Sequence, residues 1–130
     1  MPQPSQTVQK WVDQACYDLD TARAMLDSGR YVYVVFCCQQ AVEKALKALI
    51  IHHTKEFPPR IHSLPRLAEA AGITFEKEQL DFIAELSVYY MQTRYPEENE
   101  ALARTTTAER AAAALTSTEK VMKWLLSMIA

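Results

Sequence analysis

The segment FCCQQAVEKALKALII, residues 36–51, constrains this chain more than any other. It is apolar on nearly every side of a helix, and a helix of that kind belongs at the centre of a fold. One narrow stripe breaks the pattern: Gln40, Glu43, Lys44 and Lys47 recur at the three-and-four spacing that gathers side chains on one helical face. Burying polar groups without partners is costly. The stripe is therefore expected to reach a groove, a partner or a site. A Glu43–Lys47 pairing at i,i+4 contributes only on the order of 0.3 kcal/mol, too little to explain it alone.

The rest of the chain also reads as helix. Two glycines in 130 residues, with abundant Ala, Leu, Glu, Lys and Gln, favour an all-α protein of one domain spanning 1–130. Residues 1–6 carry two prolines and are expected to fray. A first helix over about 7–28 buries Val8, Trp11, Ala15, Leu19, Ala22 and Leu26, and Gly29 stops it. The central helix starts at Arg30 or Tyr31 and runs to about His53, so the two form an antiparallel hairpin. The prolines of KEFPPRIH enforce a loop. Ser63 caps a short helix over 64–71 that Gly72 closes. Thr74, followed by Glu76 and Glu78, is the expected cap of the next helix, which runs to about Arg94. Its apolar face comprises Leu80, Ile83, Leu86 and Tyr90, widened by Phe82 and Tyr89. Pro96 ends it, and an acidic loop is expected to follow. Thr106 and Glu109 form a capping box for a last helix to about Ser127, whose seam is Ala108, Ala111, Leu115, Thr118, Met122, Leu125 and Ile129. The expected architecture is an antiparallel up-and-down bundle of four long helices plus one short helix.

Charge and motifs remove several function classes. A formal net charge of −2 gives no general attraction to nucleic acid or anionic membrane, so any such contact needs a local basic patch. Of three cysteines, Cys37 and Cys38 are neighbours on the central helix and point in different directions, which favours reduced thiols and a cytoplasmic setting. The amino terminus has no signal-peptide core, and the longest apolar run is too short to span a bilayer. No glycine-rich phosphate loop, paired-Cys zinc pattern or nucleophile motif occurs. His52 and His53 have no Cys or carboxylate at ligand spacing, so neither a metal nor a cofactor is expected.

Four pieces of sequence, in order, resemble a HEPN domain (higher eukaryotes and prokaryotes nucleotide-binding) of the short stand-alone prokaryotic type. Trp11, Ala15, Asp18, Leu19 and Ala22 resemble the family's W-x3-A-x2-DL-x2-A, and residues 40–48, QAVEKALKA, its QAxEKxLKA. His62-Ser63-Leu64 and Arg94-Tyr95-Pro96 are similar to its loop histidine and its RYP. The resemblance implies a homodimeric helical bundle linked to nucleotide or RNA binding. It also implies a small nucleotidyltransferase partner, often in a toxin–antitoxin pair. Several relatives are metal-independent ribonucleases with a histidine four to six positions after the arginine. Here Glu98, Asn99 and Glu100 occupy those positions, after Glu97, and the carboxylates would repel a phosphate.

The candidate groove residues are Gln40, Glu43, Lys44, Lys47, Arg94 and Tyr95. Arg94 can hold a phosphate at two points, or serve structurally at a helix end or in an ion pair with Glu43. Tyr95 can stack on a base or simply pack. His62 can act as a base or order its own loop. A binding module ranks first. An endoribonuclease using Arg94, with His62 or a partner residue replacing the missing histidine, ranks second. A purely structural dimerisation bundle, its register set by the stripe, ranks third.

Overall fold

The computed structural model describes residues 5–129, so the fraying expected over 1–6 falls mostly outside the described range. Ser5 instead acts as a cap: its Oγ accepts from the Val8 amide at 3.1 Å and opens α1, Gln6–Asp27. Gly29, at φ +77°, turns the chain with two reverse bonds, from Arg30 N to the Met25 carbonyl and from Gly29 N to the Leu26 carbonyl. The central helix α2, Tyr31–Thr54, follows at once. Ser63 caps α3, Leu64–Ala71, and Gly72, at φ +73°, closes it with the same pair of reverse bonds.

The later boundaries depart from expectation. The next helix, α4, spans Lys77–Thr93 with Glu76 rather than Thr74 at its N-cap. Phe75 explains the shift: it is buried edge-on against Trp124, ring centroids 5.2 Å apart, which holds the preceding residues out of the helix. The segment after Pro96 is a helix, α5, Pro96–Thr105, and not an acidic loop. Proline stops α4 because the residue before it avoids helical angles. It also suits the first position of a new helix, where no amide hydrogen is required. Glu97 and Glu98 then favour the positive helix end and Arg104 the negative one. The last helix, α6, Ala108–Ser127, is capped by Thr107, whose Oγ1 accepts from Arg110 N at 3.1 Å. Thr106 is not the cap, because its hydroxyl lies 2.7 Å from that of Tyr89.

The described residues thus form six helices and no strand: α1, α2, α4 and α6 are long, α3 and α5 short. Every other helix packs on α2. Val34, Cys38, Ala41, Val42, Ala45, Leu46, Ala48 and Leu49 of α2 are fully buried. Removing that apolar surface from water is the main stabilising term of the fold. Two expected core positions lie outside it: Leu80 and Ala108 are exposed.

Candidate functional site

Glu43 organises the polar part of α2. Only 5 % of it is exposed, and its carboxylate accepts from three sides. Oε1 lies 3.0 Å from Gln39 Nε2 and 3.0 Å from His62 Nδ1, while Oε2 lies 3.1 Å from Lys47 Nζ. Gln39 Nε2 also donates to the His62 backbone carbonyl at 3.2 Å, tying the loop before α3 to the central helix. Lys47 is 7 % exposed, and its ammonium sits 5.8 Å from the ring centre of Trp11. A buried ion pair needs such extra partners to offset its desolvation.

The expected stripe is therefore two rows. Gln39, Glu43 and Lys47, four apart, turn into the molecule. Lys44 turns toward α1, where its Nζ lies 2.8 Å from Asp18 Oδ2 and 3.3 Å from Gln14 Oε1. Gln40, one turn before Lys44, is half-buried. A helix advances 100° per residue, so 43 and 44 face different neighbours once both sides of the helix are packed. Gln39 was missed by reading the apolar pattern. Its signal was its position four residues before Glu43, the spacing at which a glutamine bonds a carboxylate. Its Oε1 has no partner among the described residues, a local cost of about 1–3 kcal/mol.

His62 has a half-exposed side chain beside this network. With Nδ1–H donating to Glu43, Nε2 is the nitrogen left to accept or transfer a proton. The imidazole lies tilted at 45° to the Tyr90 ring of α4, with 5.4 Å between centroids, and Tyr90 stacks on Phe36 of α2 at 5.4 Å. Arg94 lies one helical turn beyond Tyr90 on the same face of α4. It is exposed and makes no ion pair among the described residues, so the Arg94–Glu43 bridge does not form. Glu43 already has Lys47 and His62. Tyr95, at the junction of α4 and α5, is 58 % exposed. The six groove candidates thus divide into the buried Glu43 and Lys47, the α1-facing Lys44, the half-buried Gln40 and an exposed corner of Arg94 and Tyr95.

The thiols are quiet. Burial pushes Cys37 up to about 11, with Asp18 adding to the effect, and burial pushes Cys38 up to about 12. His53 Nδ1 lies 2.9 Å from the Ala71 carbonyl, a structural contact that joins the ends of α2 and α3. Among the described residues no three His, Cys, Asp or Glu side chains converge as metal ligands, and no helix is long and apolar enough to cross a membrane.

Comparison with known proteins bears on the family and the fold. The chain matches the family described as "HEPN domain" over residues 8–128. Its fold is similar to the crystal structure of TT1696 from Thermus thermophilus, with a TM-score of 0.79 and 28% identity over 95% of this chain and 98% of that one. It is also similar to the crystal structure of ST0689, an archaeal HEPN homologue, with a TM-score of 0.76 and 27% identity over 100% of both chains. No curated protein matches it significantly. With nearly the whole chain matched and the QAVEKALKA helix at its centre, this protein belongs to the HEPN domain family.

Proposed function

We propose that this protein is a dimeric nucleotide- or RNA-binding module, partnering a small nucleotidyltransferase in a paired, toxin–antitoxin-like system. The observation that carries the binding role is the corner between α4 and α5. There an unpaired, exposed guanidinium, Arg94, adjoins an exposed ring, Tyr95. Such a pair can hold a phosphate and stack a base. The buried Gln39–Glu43–Lys47 row supports that corner by fixing His62 against Tyr90, one turn away. Membership of a family linked to nucleotides and RNA agrees with the assignment.

The dimeric part has its own support. Leu80, Val88 and Met91 are exposed along one side of α4, with Ala84 completing the row. An antiparallel pairing of two α4 helices near Val88 sets Ala84 against the partner's Met91 and leaves Tyr95, beyond the end of α4, free for a base. Thermal-shift measurements with nucleotides and short RNAs, repeated on Arg94→Ala, test the binding role. Stabilisation of the native protein that Arg94→Ala removes is expected. If no nucleotide or RNA raises the melting temperature, the binding role is abandoned. Co-purification tests the nucleotidyltransferase partner: a small nucleotidyltransferase encoded nearby is expected to elute with this chain, and separate elution excludes the pair.

One contact favours a second reading, a metal-independent endoribonuclease. Glu43 orients the half-exposed His62 through Nδ1 at 3.0 Å, which leaves Nε2 without a partner among the described residues, the arrangement of a general base, with Arg94 stabilising charge on the scissile phosphate. RNA left intact by the purified protein in the presence of chelator rules this out. A bundle serving only dimerisation is the third reading, and a monomer at micromolar concentration removes it.

A further inference from the structure

A cleft of about 440 Å3 opens between α4, α5 and α6, lined by neither the Glu43 network nor Arg94. Its size falls within the range of small-molecule sites. Val35, Phe82, Leu86, Leu102 and Ala114 supply apolar walls. The Tyr89 and Thr106 hydroxyls, 2.7 Å apart, form a polar spot on them. Burial pushes the Tyr89 phenol up, so it stays a neutral hydrogen-bonding group.

Two opposite charges also line the cleft. Arg110 has no ion pair among the described residues, and its guanidinium has only the Thr105 carbonyl, at 3.4 Å. It stands in the first turn of α6, where the helix dipole disfavours a cation and an incoming anion relieves both. Glu85 shares the cleft without pairing to Arg110. Its carboxylate repels negative charge on any occupant, a dianion about twice as strongly as a monoanion. A singly charged anion is therefore favoured over a phosphate ester, which separates this cleft from the corner at Arg94.

We propose that the cleft is a binding site for a small aromatic monocarboxylate, its ring against Phe82, Leu86 and Leu102 and its carboxylate on Arg110. The full chain is titrated with cinnamate, with neutral cinnamamide and with benzyl phosphate, following backbone amides by NMR. Cinnamate is expected to bind saturably, shifting Leu102, Thr106 and Ala114, and at least about tenfold tighter than cinnamamide. Benzyl phosphate is expected to bind more weakly than cinnamate. Arg110→Gln, an exposed substitution, brings cinnamate to the level of cinnamamide. Ala114→Phe fills the cleft and abolishes both, whereas Arg94→Ala changes neither. The proposal is overturned by no saturable binding, by equal affinities for acid and amide, by an unchanged Arg110→Gln titration, or by shifts confined to the Arg94 corner. Because Arg94 is outside this cleft, loss of nucleotide binding and loss of cinnamate binding are read separately.

Discussion

At the scale of single residues, Glu43 carries the most consequence. It is the counter-charge of Lys47, and both are buried. Glu43→Ala leaves an ammonium without a partner in the interior and costs about 3–5 kcal/mol in urea unfolding. Glu43→Leu combined with Lys47→Met is expected to recover most of that loss, because removing both charges avoids the desolvation penalty. If the double variant is no more stable than the single one, the pair is not the cause. The cysteines give a second prediction. Cys16 is exposed, and its thiol is raised by burial of part of the side chain and by Asp20 and Asp13. Cys37 at about 11 and Cys38 at about 12 form still less thiolate at neutral pH. Iodoacetamide followed by mass spectrometry should label Cys16 first, Cys37 slowly, and Cys38 only on unfolding. The same shift bears on stability. A raised acid favours the folded state below its unfolded value of 9.0, and that contribution is lost as pH climbs toward about 12. Sequence revealed Glu43 and Lys47 through their spacing. It could not reveal that His62, 19 residues away from Glu43, would be their third partner, because that contact exists only once the loop is laid across α2.

At the scale of elements, α5 is the instructive case. Pro96 was legible as a helix stop, yet the ring that keeps Tyr95 out of helical angles also presets φ for the first turn of the next helix. Composition alone does not choose between an acidic loop and a short helix whose acids complement its dipole. Tertiary packing contributes little to the choice, since α5 buries none of its residues and only Leu102 and Asn99 are half-covered. Amides of α5 should accordingly exchange with deuterium far faster than those of Leu46 to Ile50 in α2. Equal protection would mean that α5 belongs to the same cooperative unit as the core. By contrast, both glycines were legible as stops for a reason that packing does not alter. Each sits at positive φ, a conformation in which a Cβ is strained. Gly72→Ala should cost about 1 kcal/mol in chemical denaturation although nothing crowds the position.

At the scale of the whole molecule, the exposed row on α4 is the feature that a lone bundle does not account for. Val88 at 60 % and Met91 at 47 % exposed lie on the side away from the core. Analytical ultracentrifugation at micromolar concentration should report a dimer for the wild type and a monomer for Val88→Glu with Met91→Glu. Each change places a charge on the proposed contact without touching the buried core. A wild-type monomer would remove the dimer, and a dimer unaffected by both substitutions would move the contact elsewhere.

What the sequence by itself determined is the all-α class and five of the six described helices in order, α5 excepted, because helical periodicity and glycine stops are local and act wherever the chain goes. It also determined that α2 had to be central, since nothing else could cover its apolar sides. What only the tertiary structure decided is where each polar residue of that helix is spent. Glu43 and Lys47 look like one stripe with Gln40 and Lys44 when the helix stands alone. Packed on several sides, adjacent positions meet different neighbours: Lys47 and His62 for Glu43, Asp18 for Lys44. Among the described residues Arg94 makes no ion pair, and Glu43, the partner its charge suggested, is already engaged by Lys47 and His62.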